Sequence, residues 1–138
     1  MNYLGLALST LGGVVASFGF GFVVMWLVPA LFEASHKSPA ARPKEQMMSV
    51  APIGFGASVI AILVVAIIFA TAYQRGWGLA EGARLGVLIG IFAACHVANN
   101  YMSMNIEGNF ALGLAATYLV QWIITCIVIA LIYKSFAS

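Results

Sequence analysis

Charged side chains are scarce in this chain. Of 138 residues, 7% are charged, 63% are hydrophobic, and the mean hydropathy is +1.03. So few charges cannot cover a soluble globule of this size with a polar surface. The composition therefore excludes a soluble domain and predicts an integral membrane protein.

The residue sets that catalysis and metal binding usually require are also missing. The chain has two histidines and two cysteines, and its hydrophobic stretches hold no carboxylate pair, HExxH sequence or Ser/His/Asp set. A haem would need another axial ligand beside His96, and no CxxCH sequence is present for covalent attachment. We therefore predict that the protein is not an enzyme and that it holds no metal and no cofactor.

Four hydrophobic stretches are long enough to cross a bilayer, since a spanning helix needs roughly 20 apolar residues. All six basic and four acidic residues lie between these stretches or at their ends. The predicted fold is an all-α four-transmembrane-helix bundle, a single integral membrane domain over residues 1–138 with both termini on the same side. The predicted spans are about 3–32, 50–73, 83–104 and 110–133.

Positive charge does not select the inside face of this bundle. The basic residues divide three against three, with Arg75, Arg84 and Lys134 on the side of the termini and Lys37, Arg42 and Lys44 on the other. The positive-inside rule therefore gives no orientation. The first stretch lacks the basic segment of a secretory signal, so we expect a retained helix.

The first loop carries the clearest helix-breaking signals. Segment 33–49 is polar and holds two prolines, so we predict a water-facing connection that does not continue a helix. His36 lies in it among charges, and a solvated histidine is the simplest interpretation because no second ligand is nearby. We expect Pro29 to kink or end the first helix and Pro52 to lie in the first turn of the second.

Small residues recur every four positions in two spans. These ridges are Ser9, Gly13, Ser17 and Gly21 in the first span, and Gly82, Gly86, Gly90, Ala94 and Ala98 in the third. Small residues let helix backbones approach closely, so each ridge predicts a packing seam with another span or with a second copy. His96 lies about 200° around the helix from the third-span ridge. We therefore predict that the third span has protein on both faces and is the central helix.

His96 is the only basic or acidic side chain deep inside a hydrophobic stretch. Asn99, Asn100 and Ser103 follow it on the same helix face, and we call these four residues the polar stripe. Counting outward from the turn near residues 107–108 places His96 level with about Leu119. The stripe should then meet a polar face of the fourth span that includes Thr117. The predicted hydrogen-bonded site near mid-membrane consists of His96, Asn99, Asn100, Ser103, Tyr118, Gln121 and Thr125.

This site allows several interpretations. Polar residues on facing spans often serve only as interhelical ties, each worth about 1 kcal/mol or less. Histidines and amides within spans also mark solute and proton pathways. Our leading functional hypothesis is permeation of a small solute or ion by a homo-oligomer. The alternatives are an accessory subunit or assembly factor that docks on a partner membrane subunit, and a membrane protein that binds a lipid or cofactor.

Motifs along the chain also resemble a known family. They are the opening Asn2-Tyr3-Leu4, a glycine-rich first span ending in Trp26 and Pro29, the Gly86/Gly90 ridge, Asn100-Tyr101, and Glu107-Gly108 followed by Tyr118. This pattern resembles a widespread bacterial family of four-span membrane proteins classed as a domain of unknown function. The resemblance implies a four-span fold in the bacterial inner membrane, and it implies no activity.

Overall fold

The structure is a computed structural model that describes residues 1–37, 39 and 41–137. Its helices are α1 (Tyr3–Leu27), α2 (Pro29–Lys37), α3 (Lys44–Ala72), α4 (Leu79–Ser103) and α5 (Gly108–Ala137). Helices α1, α3, α4 and α5 are each long and apolar enough to cross a bilayer. The predicted all-α four-span bundle is confirmed, and the chain is an integral membrane protein.

Both chain termini lie at one end of the bundle. We call this the termini end, which also holds the turn between α3 and α4, and we call the opposite end, with α2, the loop end. The side-chain amide of Asn2 donates to the Phe136 carbonyl at 2.5 Å, and its backbone N–H donates to the Tyr133 hydroxyl at 3.2 Å. Asn2 also caps α1, because its Oδ1 accepts the N–H of Gly5 at 3.0 Å. One residue therefore caps α1 and ties it to the end of α5.

The central helix is α5, and the prediction that the third span is central is wrong. Helix α5 packs extensively on α4 and α1 and more lightly on α3, whereas α4 has no comparable contact with any other helix. The glycine ridge of α4 causes this arrangement. A Cβ built on Gly86 would lie 2.5 Å from the Cα of Ile123, and one built on Gly90 would lie 3.0 Å from the Cα of Leu119. Such close backbone contact uses one face of α4 and leaves the opposite face outward.

The small-residue ridge of α1 also packs within the chain. Ser9 is fully buried, and a Cβ on Gly13 would lie 2.9 Å from the side chains of Ile129 and Ile62. A Cβ on Gly21 would meet no atom within 4 Å. The ridge is therefore a packing seam over most of its length and has no neighbour at Gly21.

Helical structure extends further into the first loop than predicted. Pro29 ends α1 as expected, but it also begins α2. Together α2 and the start of α3 occupy most of segment 33–49, so the prediction of a non-helical connection is wrong there. Its two prolines lie between the helices and interrupt neither. Pro52 lies inside α3 and not in its first turn. Ser38 and Ala40 are outside the described residues.

The buried core lies in the half of the bundle near the termini end. Phe69 lies at its centre, with ring centroids 5.9, 6.0 and 6.1 Å from those of Tyr73, Trp77 and Tyr133. We call these four residues the aromatic cluster. Toward the loop end, four helix glycines would meet no atom within 4 Å of an added Cβ, namely Gly19, Gly21, Gly54 and Gly56. The main core therefore lies at one end, and α1 and α3 are more loosely packed at these glycines toward the other end.

Candidate functional site

Helices α3 and α4 flank α5 and leave a groove between them, which we call the lateral groove. Its volume is about 480 Å³. Val64 and Ile68 of α3 line one wall, Ile89 and Phe92 of α4 line the other, and Trp122 lies on α5 between them. Phe92 is 76% exposed, so the groove is open to the surrounding lipid. It arises because α4 packs on α5 while α3 packs mainly on α1.

Two polar side chains, His96 and Tyr118, line the part of the lateral groove nearer the loop end. The close contacts of the α4 glycines with α5 place His96 level with about residue 113, roughly five residues from Tyr118. Helix side chains lean toward the N-terminus of their own helix, and α4 and α5 run in opposite directions. His96 therefore leans toward the termini end and Tyr118 toward the loop end, so the two side chains converge.

Both of these side chains have free hydrogen-bonding capacity. His96 is exposed and Tyr118 is 38% exposed. In the part of the chain that the structure describes, the side-chain hydrogen bonds of α4 and α5 involve neither the His96 imidazole nor the Tyr118 hydroxyl. A neutral imidazole and a phenol can each donate and accept a hydrogen bond. Leaving such groups unpaired in hydrocarbon is costly, so the pair is suited to a ligand with a polar group.

The predicted polar face of α5 does not stay together in the structure. Gln121 turns toward α1, where its Nε2 donates to the Ser17 hydroxyl at 2.8 Å and to the Ser17 carbonyl at 3.1 Å. Thr125 is 1% exposed, and its hydroxyl has no partner among the described residues. Of the three predicted α5 site residues, only Tyr118 lines the lateral groove. Gln121 instead forms a tie between α1 and α5.

The polar stripe also divides. His96 lines the lateral groove, whereas Asn99 and Ser103 are exposed and Asn100 is half-buried. The Ser103 hydroxyl donates to the carbonyls of Asn99 at 3.1 Å and Asn100 at 3.4 Å, both in its own helix. The expectation that the stripe and the α5 face enclose one site is therefore wrong in its geometry. A role of these residues in binding a solute or ion stays a prediction.

An error in the predicted depth of His96 relative to α5 explains much of the difference between the predicted site and the observed one. The sequence-based register took residues 107–108 as the centre of the turn, but α4 already ends at Ser103. The glycine contacts then pair His96 with about residue 113 instead of Leu119, a shift of six residues or ~9 Å. A shift of this size brings different side chains of α5 to the level of the histidine.

Two features of the site were missed in the sequence. Trp122 lies in the middle of its span, away from either interface, and that position was the signal that it lines an internal surface. The Ser17–Gln121 tie was also detectable, because both residues are polar and lie near mid-span. The four-residue spacing by itself places Ser17 only in the small-residue ridge.

The lining of the lateral groove thus offers apolar contact and a few hydrogen-bonding side chains. Among the described residues, no group of three or more His, Cys, Asp or Glu side chains is placed to hold a metal ion. Cys95 is an exposed free thiol and Cys126 a buried one.

The fold defines the class of this protein, which is a four-span integral membrane protein with an open groove between α3 and α4. No protein family, curated protein or solved structure matches the chain. Membership of the bacterial four-span family therefore stays a prediction, and so does the bacterial inner membrane.

Proposed function

We propose that this protein binds a neutral, lipid-soluble amphiphile in the lateral groove. The polar head of the ligand would lie between His96 and Tyr118, and its apolar chain would lie along α3 and α4 toward the termini end. One observation carries the proposal. Two unpaired hydrogen-bonding side chains from different helices converge in a groove whose walls are otherwise largely apolar.

Size and charge narrow the class of ligand. A volume of about 480 Å³ lies within the ~300–1,000 Å³ of small-molecule sites. The residues that line the lateral groove include no Lys, Arg, Asp or Glu, so a permanently charged head would have no counter-charge there. A carbonyl, hydroxyl or protonated carboxyl group fits the imidazole of His96 and the hydroxyl of Tyr118.

The depth of His96 in the bundle supports a ligand orientation with the polar head nearer the loop end. His96 lies seven residues before the end of α4, or ~10 Å along the helix from the loop end. A head group at His96 would therefore lie in the leaflet at the loop end, with the chain directed toward the bilayer centre. This is the orientation that an amphiphile already adopts in that leaflet, so entry from the side needs no inversion.

Native mass spectrometry after purification in a mild detergent, followed by lipid extraction, tests the proposal. We expect wild-type protein to retain a neutral amphiphile. His96→Leu and Tyr118→Phe should each reduce occupancy by about tenfold, because an intramembrane hydrogen bond contributes about 1–2 kcal/mol. The matched control is His36→Leu, which removes an exposed histidine of α2 and should change nothing.

Two results would contradict the proposal. One is equal occupancy in wild-type protein and both groove variants. The other is a lateral groove filled by a second copy or by a stoichiometric partner, which would favour the accessory-subunit hypothesis instead.

Permeation by an assembly of copies is the second candidate. The observation that favours it is the exposed part of the polar stripe, Asn99 and Ser103, which continues from His96 toward the loop end. Within one chain this line of polar groups stops short of the aromatic cluster, so a complete path needs a second copy. Proteoliposome flux that His96→Ala abolishes while the fold is retained would support permeation, and unchanged flux would dismiss it.

A further inference from the structure

A second, smaller groove lies between α3 and α4 at the termini end, and we call it the interfacial groove. Its volume is about 250 Å³. Ile68 and Ala72 of α3 and Leu85 and Leu88 of α4 form its apolar part, and the charged side chains of Glu81 and Arg84 also line it. It adjoins the lateral groove, since Ile68 lines both. The two grooves differ in the charge of their polar groups.

Trp77 and Arg84 place the interfacial groove at the membrane surface. Trp77 lies in the turn before α4 and also lines the groove, and tryptophan is enriched at the level of lipid headgroups. Arg84 follows within the first two turns of α4. The groove therefore extends from headgroup level into the hydrocarbon layer, with Arg84 and Glu81 at its outer part and apolar side chains at its inner part.

The Arg84 guanidinium forms no direct ion pair among the described residues. Glu81 lies one turn earlier on α4, but its carboxylate accepts the N–H of Gly78 at 2.9 Å. Among the described residues, the ion pair that forms within 4.0 Å joins Lys37 and Glu33 at the loop end, and none involves Arg84. Arg84 therefore makes no direct ion pair within 4.0 Å among the described residues, although the Glu81 carboxylate lines the same groove and interacts with its charge at longer range.

Other basic side chains at the termini end add to the positive electrostatic potential around Arg84. Arg75 lies in the turn, and a Cβ built on Gly78 would lie 3.3 Å from the Lys134 ammonium, which places that ammonium beside the start of α4. Glu81 is the one acidic residue at this end. Three basic side chains against one acidic side chain give a net positive side-chain charge, which attracts anionic headgroups over about a Debye length.

We propose that the interfacial groove binds a phosphate-headed anionic lipid of the surrounding bilayer. The phosphate would lie on Arg84, whose planar guanidinium can form two parallel hydrogen bonds to phosphate oxygens. One acyl chain would lie between Leu85, Leu88 and Ile68, in the gap that α3 and α4 leave open. This site differs from that of the neutral amphiphile both in position and in head-group chemistry.

Native mass spectrometry of the full chain with added phosphatidylglycerol or phosphatidylcholine of the same acyl chains tests this inference. Wild-type protein should retain phosphatidylglycerol about tenfold better, the equivalent of ~1.4 kcal/mol. In the Arg84→Gln variant, the ratio of retained phosphatidylglycerol to retained phosphatidylcholine should be close to one. Arg84→Lys keeps the charge without the planar fork and should show an intermediate ratio.

Arg42→Gln is the matched control, because it removes the same charge from an exposed residue of the first loop. It should leave the preference unchanged. If the Arg42 and Arg84 variants lose the preference for phosphatidylglycerol equally, the net charge of the protein alone attracts the lipid. That result would overturn the proposed lipid site. An unchanged preference in Arg84→Gln, or displacement of the lipid by millimolar inorganic phosphate, would also overturn it.

The two ligand proposals can fail separately. His96→Leu should leave the phosphatidylglycerol preference intact, and Arg84→Gln should leave the neutral amphiphile bound. Arg84 is exposed, so thermal unfolding of Arg84→Gln in detergent should match that of wild-type protein. A changed unfolding temperature would point to a structural role for Arg84 and count against a lipid site.

Discussion

The two ends of this bundle are built differently. Near the termini end, α4 contacts the α5 backbone through glycines, and the rings of Phe69 and Tyr133 lie edge to face at a centroid distance of 6.1 Å. Toward the loop end, helix glycines such as Gly54 have no neighbour, and His96, Asn99 and Ser103 are exposed. The stability of the fold is therefore concentrated in one half. The polar side chains that we propose bind a ligand lie outside this closely packed half.

This difference has a physical basis in the bilayer. Lipid tails are as apolar as leucine, so helices associate only where their surfaces fit closely enough for dispersion and hydrogen bonds to act. Glycines that contact a neighbouring helix, such as Gly13 and Gly86, and the aromatic cluster supply this fit toward the termini end. Glycines toward the loop end, such as Gly21 and Gly54, meet no neighbouring helix, so they do not contribute to it.

Replacing a glycine in each half is the strongest test of this comparison. Gly86→Leu would drive a side chain into the backbone of Ile123, and we expect the free energy of unfolding to fall by about 3 kcal/mol or more. Gly54→Leu meets open space and should be neutral or stabilising by up to ~1 kcal/mol through helix propensity. Unfolding in detergent measures both. Similar losses at the two glycines would refute the division into a packed and an open half.

Removing one aromatic ring from each half should give the next largest difference. Phe69 is 2% exposed, so Phe69→Ala should leave a cavity and lower the free energy of unfolding by about 3 kcal/mol. Phe55 is 54% exposed and stacks on Phe18 at 5.0 Å, so Phe55→Ala should cost about 1 kcal/mol. Tryptophan fluorescence during thermal unfolding reports both changes. Equal shifts would show that the loop end packs as tightly as the termini end.

The Ser17–Gln121 tie should have a smaller but measurable effect. Gln121→Leu removes two hydrogen bonds and should cost about 1 kcal/mol. Asn99→Leu, which places an apolar side chain at an exposed position, should cost nothing. A double-mutant cycle of Ser17→Ala with Gln121→Leu should give a coupling of about 0.6 kcal/mol. Zero coupling would mean that the two side chains do not interact.

The smallest change in stability is expected at His96. Because its imidazole is exposed and has no partner in the described chain, His96→Leu should alter the free energy of unfolding by less than about 0.5 kcal/mol. The ligand occupancy should nevertheless fall. A stability loss near 2 kcal/mol without a change in occupancy would instead assign His96 to a structural hydrogen bond.

Much of the fold was predictable because the bilayer constrains it locally. A spanning helix must be long and apolar, so the four spans follow from hydropathy, and the ridges containing Gly13 and Gly86 were recognisable as seams. The role of Asn2 at the start of α1 and the helical character of α2 were not foreseen. Both depend on contacts or capping that hydropathy does not report.

The site was less predictable because it depends on register. A shift of six residues between α4 and α5 moves a side chain by ~9 Å, enough to change which residues face each other. Gln121 and Thr125 looked like partners of His96 by spacing. In the structure one binds Ser17 and the other lies in the core, and Tyr118 alone of the three lines the lateral groove.

The sequence by itself determined that this chain crosses the membrane four times with its termini together, because each span satisfies the bilayer through its own length and apolarity. It also determined which helix faces can approach closely. Only the tertiary structure decided that α5 is central and that α3 and α4 stay apart. Those outcomes depend on which helix surfaces pack against α5. Close backbone contact at three glycines of α4 places α4 against α5 and away from α3.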